Sequence, residues 1–519
     1  MGVPAEVRAV PRPKNTIVED SGIDSPYRYA VRERGKTSIS VNGNPSPGNG
    51  PVIGHIINLV YVPKVQKTMN EPEEMSYGMA ALVQTQADDL YMDLLSVYPV
   101  NDATNIMAIA FLKVLKPHIA SNRYTTEYTR TFTSVYYKGC SLSKNSVTEL
   151  MKRTGMDTAK RIAFFRKRIE RVDKTHLLAI DGTLREDNSR VNDLSAYSRK
   201  ARVKGTKDIS ILYAFDTETK EPICSEVFPG NNLDSTAVNS FIKMNEIDRG
   251  ILVADKGFTL KNIEDQLKIH PDLHFLLPLK RDSALVSKHN ALLFDTAFHY
   301  GDKSLQGKKV KLSNGRFLYS FRDVYRAGKE DQSFIRNAIA KNNYDAEVYE
   351  EKGERFGTIA FISDLDLTLE DVYKMYDARW LLELMFAQYK GDIELTTTNV
   401  QGDFAVRGEE FINFIATVLT SRVCRKAEEC GALDNLTYGD MRDDLSSVWR
   451  STKGEIKTPK LGDGYWRCNT LPSIFELMVK LGLAVDPNAT KRKVGRPKKE
   501  KPAVEQPKKK RGRPPKNKG

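Results

Sequence analysis

Long apolar runs and paired cysteines are both missing from this chain of 519 residues. No segment approaches the roughly 18 continuous apolar residues of a membrane span, and the N-terminal stretch MGVPAEVRAVPRPKNT lacks the apolar centre of a signal peptide. The five cysteines are scattered without a Cys-x2-Cys pair, and the spacing of His270 and His274 is only a weak candidate for zinc. We therefore expect no membrane partner, reduced thiols and a cytoplasmic protein.

Positive charge is concentrated at the C-terminal end of the chain. The net charge is +13, and residues 491–519 contain 14 Lys or Arg against two acids, a net of +12. Residues 1–490 therefore carry only +1, so the excess charge belongs to a tail. A basic tail of this kind is typical of proteins that bind nucleic acid.

The residue pattern changes along the chain and predicts several segments. Residues 1–65 are rich in Pro, Gly, Ser and Asn, which favours a disordered or extended N-terminal arm. Apolar residues recur at intervals of three and four over 66–172, as in helices. Short apolar runs alternate with helical patterns over 173–400, which predicts an α/β fold with a mixed sheet, interrupted by a strand-rich insertion at 281–355. A smaller helical region is expected over 401–487.

Two aspartates stand at the ends of predicted strands. Asp181 closes the apolar run LLAID and Asp255 closes ILVAD, and each is followed within two residues by glycine. Side chains at such strand ends project into the crevice where α/β proteins bind ligands. Aspartate before glycine is also common in turns, and for either aspartate alone a turn is the more frequent explanation.

The stretch YDARWLLELMFAQYK, residues 376–390, predicts a helix with a charged stripe. At about 100° per residue, Tyr376, Arg379, Glu383 and Lys390 fall within a narrow sector, while apolar residues cover the rest of the circumference. We expect this helix to be mostly buried. Thr368 and Asp371 are expected to cap its N-terminus.

The three acids together favour a metal site. Carboxylates that converge repel one another, and burial makes ionising them more costly. Divalent cations relieve this repulsion, and ligands that are all oxygen favour Mg²⁺ or Mn²⁺. Two such ions, about 3.5–4 Å apart, would bind a phosphodiester, with Arg379, Lys390 and the Tyr376 hydroxyl facing its phosphate oxygens. Other acids, Asp364 and Asp366, are rival ligands.

These residues resemble a known family. Asp181 in AIDGT, Asp255 in VADKGF and the series Tyr376-x2-Arg379-x3-Glu383-x6-Lys390 are similar to the DDE insertion-sequence transposases of the insertion sequence 4 group. The resemblance implies a ribonuclease H-like core, split by an insertion between the second aspartate and the glutamate. It also implies that Asp181, Asp255 and Glu383 bind the metal ions.

The same resemblance implies partners for the remaining residues of the helix. Tyr376, Arg379 and Lys390 would contact phosphates at the transposon end, and the protein would work on double-stranded DNA as a homodimer in a synaptic complex. Some relatives cut the second strand through a DNA hairpin with the help of aromatic residues, and no local pattern identifies such an aromatic residue here.

The tail, residues 488–519, contains two Gly-Arg-Pro units among basic residues. They resemble AT-hooks, which place an extended core in the minor groove of A·T-rich DNA. The residues concerned are Gly495, Arg496, Pro497, Arg511, Gly512, Arg513 and Pro514. We expect the tail to be disordered until it binds DNA, with a generic basic arm as the alternative. The basic helix TAKRIAFFRKRIERV is expected to be either a second DNA surface or a solvated face.

The sequence thus predicts a transposase that hydrolyses DNA at the ends of its element and joins the freed 3′-hydroxyl to target DNA. The helical region 66–172 would recognise the terminal repeats. Two alternatives remain open: a catalytically silent DNA-binding architectural protein, and a metal-dependent nuclease without strand transfer. The expected location is a prokaryotic cytoplasm, at the nucleoid.

Overall fold

The structure is a computed structural model. It describes residues 2–22, 24–39, 45–64, 74–199, 201, 203–231, 235–254, 260–393, 395–451 and 472–485. The chain divides into two compact units, Met1–Pro72 and Glu73–Gly519. No helix within the described ranges is both long enough and apolar enough to cross a bilayer.

The N-terminal unit contains an antiparallel sheet. Its elements are α1 (Ala5–Arg8), β1 (Thr16–Asp20), β2 (Tyr29–Ile39), β3 (Pro45–Ile57) and β4 (Val60–Pro63), and the strands lie in the order β1-β2-β3-β4. Val7, Val10, Val31 and Ile56 form its small core. Where the sequence predicts a disordered or extended arm, the Pro- and Gly-rich stretch is therefore a strand, and shifts in the β2–β3 register accommodate it.

The helices of the larger unit are α2 (Gly78–Gln84), α3 (Asp88–Val97), α4 (Val100–Leu115), α5 (Tyr124–Arg130), α6 (Thr133–Tyr136), α7 (Lys144–Met156), α8 (Thr158–Ile169), α9 (Ser235–Met244), α10 (Glu264–Ile269), α11 (Ala284–Lys288), α12 (Val324–Ala340), α13 (Ala346–Gly353), α14 (Leu369–Ala378), α15 (Trp380–Lys390), α16 (Asp403–Glu429), α17 (Tyr438–Ser446) and α18 (Pro472–Lys480). Its strands are β5 (Glu74–Ser76), β6 (Leu177–Asp187), β7 (Ala196–Tyr197), β8 (Lys207–Asp216), β9 (Glu221–Pro229), β10 (Arg249–Ala254), β11 (Asp272–Leu279), β12 (Thr296–Tyr300), β13 (Lys303–Lys311), β14 (Phe317–Asp323), β15 (Thr358–Ser363), β16 (Thr397–Thr398) and β17 (Trp449–Ser451).

The helices before the sheet share a core with α16. The rings of Phe164 and Phe411 lie 5.2 Å apart, and those of Phe165 and Phe414 lie 5.0 Å apart. Helices α7 and α16 approach so closely that a Cβ added to Gly408 would lie 1.8 Å from a backbone carbonyl oxygen of α7. Residues 74–172 of the predicted helical region 66–172 therefore belong to the same compact unit as the large sheet.

The predicted mixed sheet is confirmed, and it is large. Its central strands lie in the order β9-β8-β6-β10-β11, with β6 parallel to β10, β10 parallel to β11, and antiparallel pairing of β6 with β8 and β8 with β9. Beyond β11 the sheet continues antiparallel through β15, β14, β13 and β12. The described residues of this unit thus form an eleven-stranded sheet.

The insertion 281–355 supplies strands β12 to β14, which extend the main sheet, together with helices α12 and α13. The sequence predicts strands here but not these helices. Of α12 only Ala327 and Ala338 are buried, and none of the residues Ala346–Gly353 is. In α12 the half-buried positions include Glu330 and Asp331, so charged residues interrupt the apolar side by which helices are recognised.

The predicted helix over 376–390 is two helices, α14 and α15, which meet at Arg379. Around the joint, the N–H of Arg379 donates to the carbonyl of Tyr376, and the N–H of Leu382 donates to the carbonyl of Arg379. These bonds reach the third residue back, as in a 3₁₀-helix, instead of the fourth. The predicted cap is confirmed, because Thr368 accepts the backbone N–H of Asp371 at 3.1 Å.

The expectation that this helix is mostly buried is wrong for α15. Its apolar residues Trp380 and Leu384 are 59% and 45% exposed. Helix α15 packs on β6 and α16 through one side only, so the apolar residues on its other side face solvent. Sequence periodicity could not show this, because apolar residues cover most of the circumference outside the charged stripe and do not indicate which of them face the core.

Candidate active site

Asp181 lies inside strand β6 and not at its end. The strand continues to Asp187 because β8 supplies register partners for every residue from Leu178 to Glu186. Asp181 is half-buried, faces Tyr213 across the β6–β8 pair, and accepts the N–H of Gly182 at 2.8 Å on Oδ1. The Asp-Gly dipeptide is therefore not a turn here.

Strand β10 runs beside β6 and leads towards Asp255. The two strands are parallel, and Ala254, the last residue of β10, is in register with Ile180. Asp255 follows Ala254 in the chain and lies outside the described residues. The described part of β10 thus stops one residue before the register position of Asp181.

Glu383 lies on the helix that covers the Asp181 face of the sheet. Residues directly opposite in an antiparallel pair point to the same face, so Tyr213 shares a face with Asp181. Phe386 and Tyr389 of α15 pack edge-on against Tyr213, with ring centroids 5.8 and 5.9 Å away. Because Glu383 precedes Phe386 by three residues, it lies on the same side of α15.

Arg379 and Glu383 form an ion pair near this face. Their Nη2 and Oε1 atoms are 3.2 Å apart, and the two side chains are 21% and 41% exposed. Both groups therefore remain accessible to a ligand from solvent. The pairing at positions i and i+4 across the joint between α14 and α15 keeps the guanidinium beside the carboxylate.

Tyr376 and Lys390 lie away from the ion pair in opposite directions. Tyr376 is on α14, and its ring packs against Phe361 of β15 with centroids 5.0 Å apart. Lys390 is exposed at the last position of α15. Burial and the Glu186 carboxylate raise the pKa of Asp208, and the nearby Lys390 ammonium opposes that rise. The residues of the predicted charged stripe therefore lie on two helices and not on one.

The rival acids Asp364 and Asp366 are placed elsewhere. Asp364 contacts the His274 ring at 2.9 Å and accepts the N–H of Phe275 at 3.0 Å, at the start of β11. His274 is level with Leu177 of β6 through β10, about 13 Å along the strand from Asp181. Asp366 pairs with Lys309. Both acids therefore lie far from Asp181 in the sheet.

A buried polar network lies on the same face, and the sequence analysis missed it. Arg185, four residues after Asp181 on β6, donates to Glu409 at 2.9 Å and to Glu410 of α16. The Tyr389 hydroxyl donates to Glu410 at 2.8 Å, and buried Lys113 lies close to Glu409. The only sequence signal is a pair of acids, Glu409 and Glu410, directly before the apolar run FINFIATVL.

The charges of this network stabilise one another. Burial lowers the pKa of Arg185, but the Glu409 and Glu410 carboxylates outweigh burial and raise it above its ordinary value. Burial likewise raises the pKa of Glu409, and Arg185 and Lys113 outweigh burial and hold it below its ordinary value. For Lys113 burial prevails and lowers the pKa. Arg185 therefore favours the ionised form of Glu409 in this buried setting.

Three arginines of α8, the basic helix predicted to be either a second DNA surface or a solvated face, contact other parts of the protein. Arg161 is buried and donates to the carbonyl of Thr154 at 3.0 Å. Arg166 pairs with Asp248 at 2.6 Å, and buried Arg168 pairs with Glu221 at 3.1 Å. Arg168 thus binds the helix to the first residue of β9, and Arg166 binds it to the residue before β10 as well as to Glu170 at the end of the helix itself. Asp248 and Glu221 lie more than 50 residues away in the chain, which sequence periodicity does not reveal.

The donor set is compatible with a hard divalent cation. Asp181 and Glu383 offer only carboxylate oxygens, the ligand type that Mg²⁺ and Mn²⁺ prefer. Among the described residues, no group of three or more His, Cys, Asp or Glu is arranged to hold a metal ion, a finding that leaves out Asp255. The predicted hook residues of the tail also lie outside the described residues.

Comparison with known proteins identifies one family. Residues 173–419, somewhat less than half of the chain, match the family model described as "Transposase DDE domain". No curated protein sequence matches the chain. This segment begins just before β6 and ends within α16, so it contains Asp181, Asp255 and Glu383.

Solved structures give looser similarities. A piggyBac transposase synaptic complex with hairpin DNA is 10% identical and covers 73% of this chain and 81% of its own, with a TM-score of 0.39. A Mos1 transposase paired-end complex with the left transposon end is 11% identical, and the match covers 30% of this chain and 54% of the Mos1 chain, with a TM-score of 0.14. Both TM-scores lie below 0.5, so the informative similarity is the family match. The part of the chain that carries the three acids is similar to the DDE domain of transposases.

Proposed function

We propose that this protein is a transposase whose catalytic core is residues 173–419, with Asp181, Asp255 and Glu383 as ligands of two Mg²⁺ or Mn²⁺ ions. One observation carries the proposal: Asp181 and Glu383 belong to the same face of the sheet, linked through Tyr213. Strand β10 ends at Ala254, one residue before the register position of Asp181, and this supports Asp255 as the third ligand.

The strand order supports a ribonuclease H-like core. In β9-β8-β6-β10-β11, the strand carrying Asp181 is central, and the strand that leads to Asp255 lies beside it. The insertion separates Asp255 from Glu383 in the chain but extends the sheet at its far edge, so it leaves the Asp181 face accessible to α15. The Tyr376, Arg379, Glu383 and Lys390 series supports membership of the insertion sequence 4 group.

Each side chain of the site has a role in handling DNA. When bound, two divalent ions supply the charge that activates an attacking oxygen and stabilises the leaving oxygen of a phosphodiester. Arg379, held beside Glu383, offers a forked donor to a phosphate, and Lys390 offers a point charge about 16 Å further along the helix axis. The Tyr376 hydroxyl would donate to a third phosphate. This spacing suits a DNA backbone that follows α14 and α15.

The proposed reaction has two in-line displacements at one site. Water attacks the phosphodiester at an element's end and releases a 3′-hydroxyl, and this hydroxyl then attacks target DNA, with the departing 3′-oxygen as leaving group. The protein would act as a homodimer that holds two ends, in a prokaryotic cytoplasm. The tail would add sequence-tolerant, salt-sensitive affinity through its two AT-hook-like units.

The test is cleavage of a DNA fragment that carries the element's own ends, with purified protein and Mg²⁺. We expect Asp181→Asn and Glu383→Gln to abolish cleavage, and EDTA to abolish it in the wild type. Asp366→Asn is the matched control, because Asp366 pairs with Lys309 away from the Asp181 face. Circular dichroism would establish that each variant is folded.

Three outcomes would separate the alternatives. Cleavage by Asp181→Asn at the wild-type rate, or cleavage in EDTA, would refute the metal assignment. Cleavage without any joined product in the presence of a target plasmid would indicate a nuclease. A folded wild-type protein that binds the ends and never cuts them would indicate an architectural DNA-binding protein.

A further inference from the structure

The buried network around Arg185 is not used by the chemistry proposed above, yet it joins the two elements that carry Asp181 and Glu383. We propose that Glu410 is a positioning residue that clamps β6 to α15 and thereby sets the separation of the two acids. This inference rests on the proposed function, because the separation matters only if both acids bind the same ions.

Glu410 receives hydrogen bonds from both elements at once. Arg185 of β6 donates to its Oε1, and the Tyr389 hydroxyl of α15 lies 2.8 Å from both of its oxygens. Asn413, one turn further along α16, donates to Oε1 at 2.8 Å. Glu410 is 2% exposed and Tyr389 is fully buried. Water therefore does not compete for these bonds, and their geometry is held firmly.

A second layer of contacts fixes Arg185. Its Nη1 donates also to Glu409 at 2.9 Å, and its Nη2 donates to the carbonyl of Thr397 at 2.7 Å. Glu409 in turn accepts the Thr398 hydroxyl at 2.7 Å. Arg185 of β6 is thus bound to both α16 and β16. Loss of a bond at Glu410 would therefore displace α15 more than β6.

A small rotation of either element at the clamp would displace its acid by a larger distance, because both acids lie far from the clamp. Asp181 precedes Arg185 by four strand residues, about 13 Å, and Glu383 precedes Tyr389 by six helical residues, about 9 Å. A tilt of α15 by ~5° about Tyr389 would move Glu383 by ~0.8 Å at the helical rise of 1.5 Å per residue. Metal coordination tolerates only about 0.2 Å.

The Tyr389 hydroxyl is the point at which the clamp can be opened without disturbing the packing. Tyr389→Phe keeps the ring that packs against Tyr213 and leaves Glu410 with Arg185 and Asn413 as donors. Glu410→Ala is less suitable, because it would remove one carboxylate partner of the buried Arg185 and could prevent folding. Tyr98→Phe is the matched control, because Tyr98 is 5% exposed and its hydroxyl has no hydrogen-bond partner within the described residues.

The experiment compares wild type, Tyr389→Phe, Tyr98→Phe and Asp181→Asn as full-length proteins. Mn²⁺ binding is measured by calorimetric titration, the Mg²⁺ concentration for half-maximal cleavage by gel assay, and DNA affinity in EDTA by fluorescence anisotropy. We expect Tyr389→Phe to weaken Mn²⁺ binding and raise the half-saturating Mg²⁺ concentration by about tenfold, as losses outside the ligand set do. Its DNA affinity in EDTA stays unchanged, and Tyr98→Phe matches wild type.

The outcomes distinguish failure of the clamp from failure of the proposed function. If Asp181→Asn loses Mn²⁺ binding but Tyr389→Phe binds Mn²⁺ as wild type does, the clamp is refuted and the site survives. An equal shift in Tyr98→Phe would also refute the clamp, since a general loss of stability would explain both. Mn²⁺ binding that Asp181→Asn leaves intact would refute the site, and the clamp with it.

Discussion

Replacing Arg185 with methionine is the most direct test of the buried charges beneath the Asp181 face. Methionine matches the arginine stem in length but removes the cation, so Glu409 and Glu410 lose the donor that they share. Removing one partner of a buried ion pair destabilises a protein by about 3–5 kcal/mol. With an unfolding entropy of roughly 2.1 cal/mol/K per residue, about 1 kcal/mol/K for a chain of this length, the melting temperature would fall by about 3–5 °C.

The pH dependence of this loss is a second, independent signature. In the wild type the pKa of Glu409 is lowered, so its ionisation contributes stability that is present above the unfolded pKa and is lost as the pH falls through the folded pKa. Without Arg185, burial prevails and raises the pKa of Glu409. The ionised form then opposes folding, so the difference between variant and wild type should be largest at pH 8 and shrink towards pH 5.

Differential scanning calorimetry of Arg185→Met at pH 8 and pH 5 measures both effects. Arg355→Met is the matched control, because within the described residues the Arg355 side chain makes only a long pair with Glu351, 3.8 Å apart, a kind of surface pair worth about 0–1 kcal/mol. A variant as stable as this control, or a deficit that does not change with pH, would show that the network is not held together by Arg185.

Two further predictions concern packing and the tail. Gly408→Ala should destabilise the protein by about 1–3 kcal/mol in thermal unfolding, because the new Cβ would meet a backbone carbonyl of α7, whereas Gly328→Ala, in open space on α12, should be neutral or stabilising; equal effects would contradict the close crossing. Deleting 488–519 should weaken DNA binding and flatten its salt dependence while sparing cleavage at saturating protein, and loss of all cleavage would contradict this division of labour.

Local features of the sequence predicted much of the candidate catalytic region. The apolar runs before Asp181 and Asp255 are strands, because continuous apolar segments form the buried strands of a sheet covered on both faces. Thr368 caps a helix because the bond it makes spans only three residues. The series from Tyr376 to Lys390 placed Arg379 and Glu383 one helical turn apart, which is where they pair. Each of these depends on neighbours within a few positions.

What the sequence determined by itself, then, was the kind and order of most elements between β6 and α15, with helices α12 and α13 as exceptions. Only the tertiary structure decided that β6 continues through Asp181, because its partner β8 extends past that point, and that the arginines of α8 are buried in ion pairs. It also decided that Arg185, 224 residues from Glu409, lies beneath the site. The physical reason is the same in each case: the energy of a buried charge or an extended strand depends on partners that fold in from distant parts of the chain.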